Sequence, residues 1–136
     1  PIITPNIGAY STEPDANTLK DYLDTLPQFY DLPEDVIVLP AHKLPFVGLH
    51  ERVEELIAHH KEHIDALLIA CQKPQTVVSL LPVMFKRKLG VRNMVFAVAE
   101  CIAHLNYLIN EGKLVRCLNS AGVYEYSAEL KNQLAS

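Results

Sequence analysis

Val36-Ile-Val-Leu-Pro-Ala-His-Lys-Leu-Pro45 is the stretch on which the reading of this chain turns. Four β-prone apolar residues, Val36 to Leu39, predict a short buried strand, and Pro40 ends it because proline cannot continue a central ladder. His42 follows directly, on a loop closed by Pro45 and Gly48. A histidine just past a strand end, on a turn that proline pre-sets, has the restraint that a metal ligand or catalytic base needs. A lone loop histidine is also commonly structural, so His42 alone assigns nothing. One strand cannot form a sheet by itself. Its missing neighbours create the expectation that this chain is a fragment of a longer protein.

Upstream, Pro1 to Glu13 carries turn formers without periodicity and reads as extended or loop. Asp15 or Asn17 is placed to cap a helix bearing Leu19, Tyr22, Leu23, Leu26, Phe29 and Tyr30, with Pro27 as a kink or break. Downstream comes the clearest helix. Leu49, Val53, Leu56, Ile57, His60, Ile64, Leu67, Leu68 and Cys71 fall on one stripe, and acids and lysines occupy the rest. At about 1.5 Å per residue such a helix is roughly 34 Å long, enough to link two units.

That helix holds His59, His60 and His63. His59 and His63 are spaced i, i+4, as in zinc proteases, but that chemistry needs a glutamate at position 60 and a third ligand. Position 60 is histidine. The expectation is that His60 packs on the stripe while His59 and His63 are exposed or hydrogen-bonded locally.

Composition limits the rest. The chain has 136 residues, 49% of them hydrophobic, which suits one domain or two small units. No apolar run reaches membrane-spanning length. Cys71, Cys101 and Cys117 are odd in number and widely spaced, fitting buried thiols in a reducing cytoplasm. Residues 1–72 carry a charge balance of −8 and residues 73–136 one of +4, so a boundary is expected near Gln72-Lys73-Pro74.

Past that boundary Thr76 caps a short helix, Val77 to Leu81, expected to stop at Pro82. A basic turn, Lys86 to Gly90, leads to a helix from Asn93 to Asn110, ended by Gly112. Leu114–Leu118 and Val123–Tyr126 read as a hairpin around Asn119-Ser-Ala-Gly122, and the tail from Ala128 as a short helix or frayed end. Helices followed by a hairpin predict a winged helix. Lys86, Arg87, Lys88 and Arg92 are its candidate phosphate contacts. The helix from Asn93, however, is apolar nearly all round and lacks the polar side chains that read base edges. Packing or self-association is the expected use of its surplus face.

The order of these pieces carries a resemblance. Strand–Pro-Ala-His-x-x-Pro, then Gly48-Leu-His-Glu-Arg52, then the helix with Ala58-His59-His60, resembles the C-terminal part of metallo-β-lactamase-fold hydrolases. Ala103-His104-Leu105 to Glu111-Gly112-Lys113 resembles the winged-helix domain appended to one branch of them. The resemblance implies an α+β fragment, mainly α with minor β. Residues 1–48 would be the end of an αββα catalytic domain, 49–72 a linking helix and 73–136 the winged helix. It implies that His42 is the family's last metal-binding histidine, in a loop usually written Pro-Gly-His-Gly, with Ala41 and Lys43 in place of the glycines. His59 matches a recurring family histidine to which no role attaches. Lys43 either faces an anionic substrate or is solvated. The implied cofactor is zinc, one or two ions in the intact protein, with none expected to bind tightly to this stretch, which has no His-x-His. The implied partners are the upstream catalytic domain and a small-molecule substrate; a second copy of the chain is expected from the surplus apolar face of the helix from Asn93, not from the resemblance. The implied reaction is hydrolysis of an ester, thioester or phosphodiester, with this fragment alone inactive. The alternative is a non-catalytic winged-helix module for a protein or nucleic-acid partner.

Overall fold

The computed structural model describes residue 5, residues 7–86 and residues 89–128. They form a mainly helical fold with one two-stranded antiparallel hairpin. Helix α1 (Thr18–Thr25) starts at Asn17, whose side chain accepts the Lys20 amide and so satisfies one of the unpaired donors of the first turn. Pro27 ends the α-helical pattern as expected: the chain tightens into a 3-10 helix, Leu26–Asp31, with proline in its first positions.

The predicted buried strand is corrected. Val38 pairs with Phe46 through two backbone hydrogen bonds of 2.8 and 3.1 Å, an isolated bridge rather than a ladder. Ile37 and Leu39 are 69% and 78% exposed. A strand needs neighbours to bury both faces, and among the described residues none flanks this one.

Helix α2 (Leu49–Ala70) is the beam of the fold. Gly48 precedes it with φ 91°, a left-handed conformation that costs glycine little. Its predicted stripe is buried at Leu49, Val53, Leu56, His60, Ile64, Leu67 and Cys71. The first half packs on Leu26 with Tyr22, Val36 and Val38 alongside. The second half packs into the main core with Leu80, Leu81, Leu105, Leu108 and Tyr126.

Helix α3 spans Val77–Met84, capped by Thr76 Oγ1 accepting the Ser79 amide at 3.2 Å. It runs through Pro82, against expectation. Pro82 and Val78 face solvent, so water can serve the carbonyl that the missing N–H leaves free, while Leu81 and Met84 stay buried. Helix α4 (Val91–Asn110) begins two residues earlier than predicted, because Gly90 accepts the amides of Asn93 and Met94. It ends as read. Gly112 (φ 66°) donates to Ile109 and Lys113 donates to Leu108, the paired bonds of a Schellman stop.

Strands β1 (Leu114–Leu118) and β2 (Tyr124–Ala128) pair in register Leu114 with Ala128 and Leu118 with Tyr124. Asn119 closes the turn, its side-chain oxygen accepting the amides of Ala121 and Val123. Gln75, between α2 and α3, exchanges two backbone hydrogen bonds with Tyr126, which adds a third short pairing to the hairpin. The N-terminal segment lies on α4: Ala9 donates to the Ala99 carbonyl, and Asn106 donates to Pro14 and Ala16. Among the described residues no helix is long and apolar enough to cross a membrane. The tail from residue 129 lies outside the described residues.

Candidate functional site

His42 sits exposed on the loop that the Val38–Phe46 bridge closes. The next residue, Lys43, has φ 73°. A side chain in this left-handed region costs of the order of 1 kcal/mol, which is why glycine usually holds such positions. Lys43 occupies the place where the resembling loop has its second glycine, so the backbone follows a glycine path even though the residue is lysine. Leu44 and Val47 beside it are 82% and 66% exposed.

The basic turn gives less. Lys86 is exposed; Arg87 and Lys88 lie outside the described residues, as does the side chain of Arg92. The surplus face of α4 is only partly covered. Its C-terminal two-thirds are buried, but Val91, Val95 and Phe96 are 90%, 69% and 56% exposed.

The densest chemistry lies where α2 meets α4. His60 and His104 are fully buried, and His60 Nδ1 is 3.1 Å from His104 Nε2. His104 Nδ1 is 2.8 Å from the Glu100 carbonyl oxygen, which can only accept. In the neutral ring His104 must therefore donate through Nδ1 and accept through Nε2. It follows that His60 donates through Nδ1 and is left with a bare lone pair on Nε2. That atom is buried without a hydrogen-bond partner among the described residues, as is His63 Nδ1. The His59 and His63 rings lie with centroids 4.4 Å apart, tilted by 60°, and His63 meets His104 edge-on at 5.5 Å.

Burial sets the electrostatics. It lowers His60 and His63 to about 4, with neighbouring histidines adding to the effect. It lowers His104 to about 3, against the opposing pull of its bond to the Glu100 carbonyl. The Glu100 carboxyl, half-buried on α4, is pushed up to about 7 by desolvation. His60, His63 and His104 are therefore neutral imidazoles at pH 7, the state in which a histidine nitrogen can bind a metal.

His60 packs on the stripe as expected. His59 and His63 depart from expectation: both are half-buried and turned into one group with Glu100. One ligand atom from each of His59, His63 and Glu100 lies within 4.8 Å of the others. Glu100 and His104 were missed as site residues. Their own i, i+4 spacing mirrors that of His59 and His63, but nothing in the sequence pairs the two helices.

The comparisons fit this architecture. Residues 64–129 match the metallo-beta-lactamase-like C-terminal domain family. The chain is 38% identical, with a TM-score of 0.90, to a beta-lactamase domain protein from Burkholderia ambifaria. It is 33% identical, with a TM-score of 0.76, to a metallo-beta-lactamase family protein from Thermus thermophilus. Each match covers 93% of this chain and 38% of the other, so the chain spans well under half the length of these proteins. No curated protein matches. Residues 64–129 are a metallo-beta-lactamase-like C-terminal domain, and the resemblance to the C-terminal part of that family holds.

Proposed function

We propose that this chain is the C-terminal part of a metal-dependent hydrolase, with His42 as one ligand of its catalytic metal. The observation that carries the reading is the loop from Pro40 to Pro45. It mounts an exposed imidazole between a closing bridge and a left-handed residue at a glycine position. Similarity to metallo-beta-lactamase proteins over 93% of the chain supports it. A catalytic zinc takes about three protein ligands, and His42 fits as one, through one imidazole nitrogen, with the other ring N–H donating to a neighbouring acceptor. One or two zinc ions there would supply a water acidified to about pKa 7 for attack on an ester, thioester or phosphodiester. Lys43 holds its charge beside that position, and residues 1–136 alone are inactive. In the longer protein His42→Ala should lower metal content and turnover together, while Lys43→Ala leaves metal content unchanged. Full metal content and activity in His42→Ala would refute the assignment.

A second reading concerns residues 73–136. Two helices, α3 and α4, with the end of α2 packed beside them, a hairpin and the extra Gln75–Tyr126 pairing support a winged-helix plan. The exposed apolar start of α4 favours a protein surface over a nucleic-acid groove as its partner, a second copy of the chain first of all.

A further inference from the structure

We propose that His59, His63 and Glu100 form a divalent transition-metal site that staples α2 to α4, separate from the His42 loop. Three observations converge on it. One ligand atom from each of the three residues lies within 4.8 Å of the others. Around a zinc with bonds of about 2.0–2.2 Å, tetrahedral ligands sit roughly 3.3 Å apart. Side-chain rotations alone can close that gap, because α2 already holds the two imidazoles on one face at i, i+4. The second observation is the orphaned nitrogen: among the described residues His63 Nδ1 is buried with no hydrogen-bond partner, and so is Nε2 of the fully buried neighbour His60. Buried polar atoms without partners are rare enough to call for an occupant. The third is Glu100, a half-buried carboxyl group that makes no ion pair among the described residues.

The donor set names the ion class. Two imidazoles and one carboxylate suit zinc, cobalt or nickel, and not magnesium or calcium, which take oxygen ligands. Behind the ligands, the bonds from His60 to His104 and from His104 to the Glu100 carbonyl fix the backbone that presents the carboxylate. Three protein ligands leave one position for water. The zinc-protease chemistry is still absent, because position 60 holds histidine. The site joins two helices whose ligands are far apart in sequence, so bound metal favours the folded state. It also reverses the expectation that this stretch carries no zinc of its own.

The test uses the chelator-stripped 136-residue chain, dialysed against zinc and assayed for retained metal. One equivalent is expected, with a rise in thermal midpoint that magnesium does not produce. His59→Ala with His63→Ala, and Glu100→Gln separately, should each weaken zinc binding at least tenfold, and His42→Ala should not. X-ray absorption at the zinc edge of the unmutated chain needs no variant to fold and should report nitrogen and oxygen ligands only. No retained zinc, sulfur in the coordination shell, or binding lost with His42→Ala would overturn the proposal.

Discussion

Asn106 is buried on α4, 2% exposed, and its side-chain amide donates to two carbonyls of the N-terminal segment, Pro14 at 2.8 Å and Ala16 at 3.1 Å. Asn106→Leu keeps the branched outline of the side chain, at a larger volume, and removes both donors. A typical internal hydrogen bond is worth about 1 kcal/mol net, so two should cost about 2 kcal/mol. The carbonyls of exposed Pro14 and half-buried Ala16 recover part of their solvation from water, which keeps the loss from rising much further. In urea, with a slope of about 2 kcal/mol per molar, the midpoint should fall by about 1 M. Asn106→Asp is the sharper probe, because it turns a donor into a carboxylate facing two carbonyl oxygens. Its folded pKa must lie above the unfolded value of about 3.9. The folded state then binds more protons than the unfolded state between those two values, so stability falls as pH rises through that window. Each unit of the shift adds about 1.4 kcal/mol to the deficit at neutral pH, and the deficit shrinks again towards pH 4. Circular dichroism of urea unfolding at pH 4, 5.5 and 7, always relative to the unmutated chain, measures it. An Asn106→Leu change costing under 0.5 kcal/mol would refute the reasoning, as would an Asn106→Asp deficit independent of pH.

A Cβ added at Gly8 would lie 2.9 Å from the Ala99 Cβ. Gly8→Ala should therefore destabilise by about 1–3 kcal/mol, and Ala99→Gly in the same chain should recover part of that beyond additivity in a double-mutant cycle. Cys117 is exposed, whereas Cys71 and Cys101 are fully buried and pushed up by desolvation to about 11 and about 12. One thiol should react rapidly with a disulfide reagent in the native chain and three in denaturant; a second fast thiol would contradict the packing. Sedimentation over a concentration series should show self-association that Phe96→Asp weakens. A strictly monomeric chain that binds one duplex sequence far better than others would exclude the proposed contact.

Legibility from sequence followed the range of the interaction. The α2 stripe, the Asn17 and Thr76 caps and the Gly112 stop rest on neighbours within a turn, and each is found where it was read. The misses each needed knowledge of what lies alongside. A proline breaks a buried helix, so the sequence predicts a stop at Pro82, and only the packing reveals that its missing bond faces solvent. Val36 to Leu39 has strand composition, but a strand is defined by partners, and its described backbone pairing amounts to one bridge. Histidines 59 and 63 were legible as a spaced pair. Their convergence with Glu100 was not, because it depends on the register of α2 against α4, which no local rule sets.

That register explains the polar residue at the centre of the beam. The buried stripe of α2 runs Leu49, Val53, Leu56, His60, Ile64, Leu67 and Cys71, apolar except at one position. Packing alone would favour leucine there, since a buried imidazole must offset its lost hydration with directed bonds. His60 does so only if His104 stands opposite, and His104 accepts only because the Glu100 carbonyl holds its other nitrogen. A shift of α4 along α2 by one turn would break the His60–His104 bond and strand its two ring nitrogens, whereas an all-leucine seam would tolerate the slip. The thread of imidazoles sits where the smaller cluster under α1 gives way to the main core. It therefore fixes how the loop-bearing first half of α2 is carried relative to the helical domain. His59 and His63 flank that thread on the less buried side of the same helix, so the contact that sets the register also brings Glu100 to the two nitrogens.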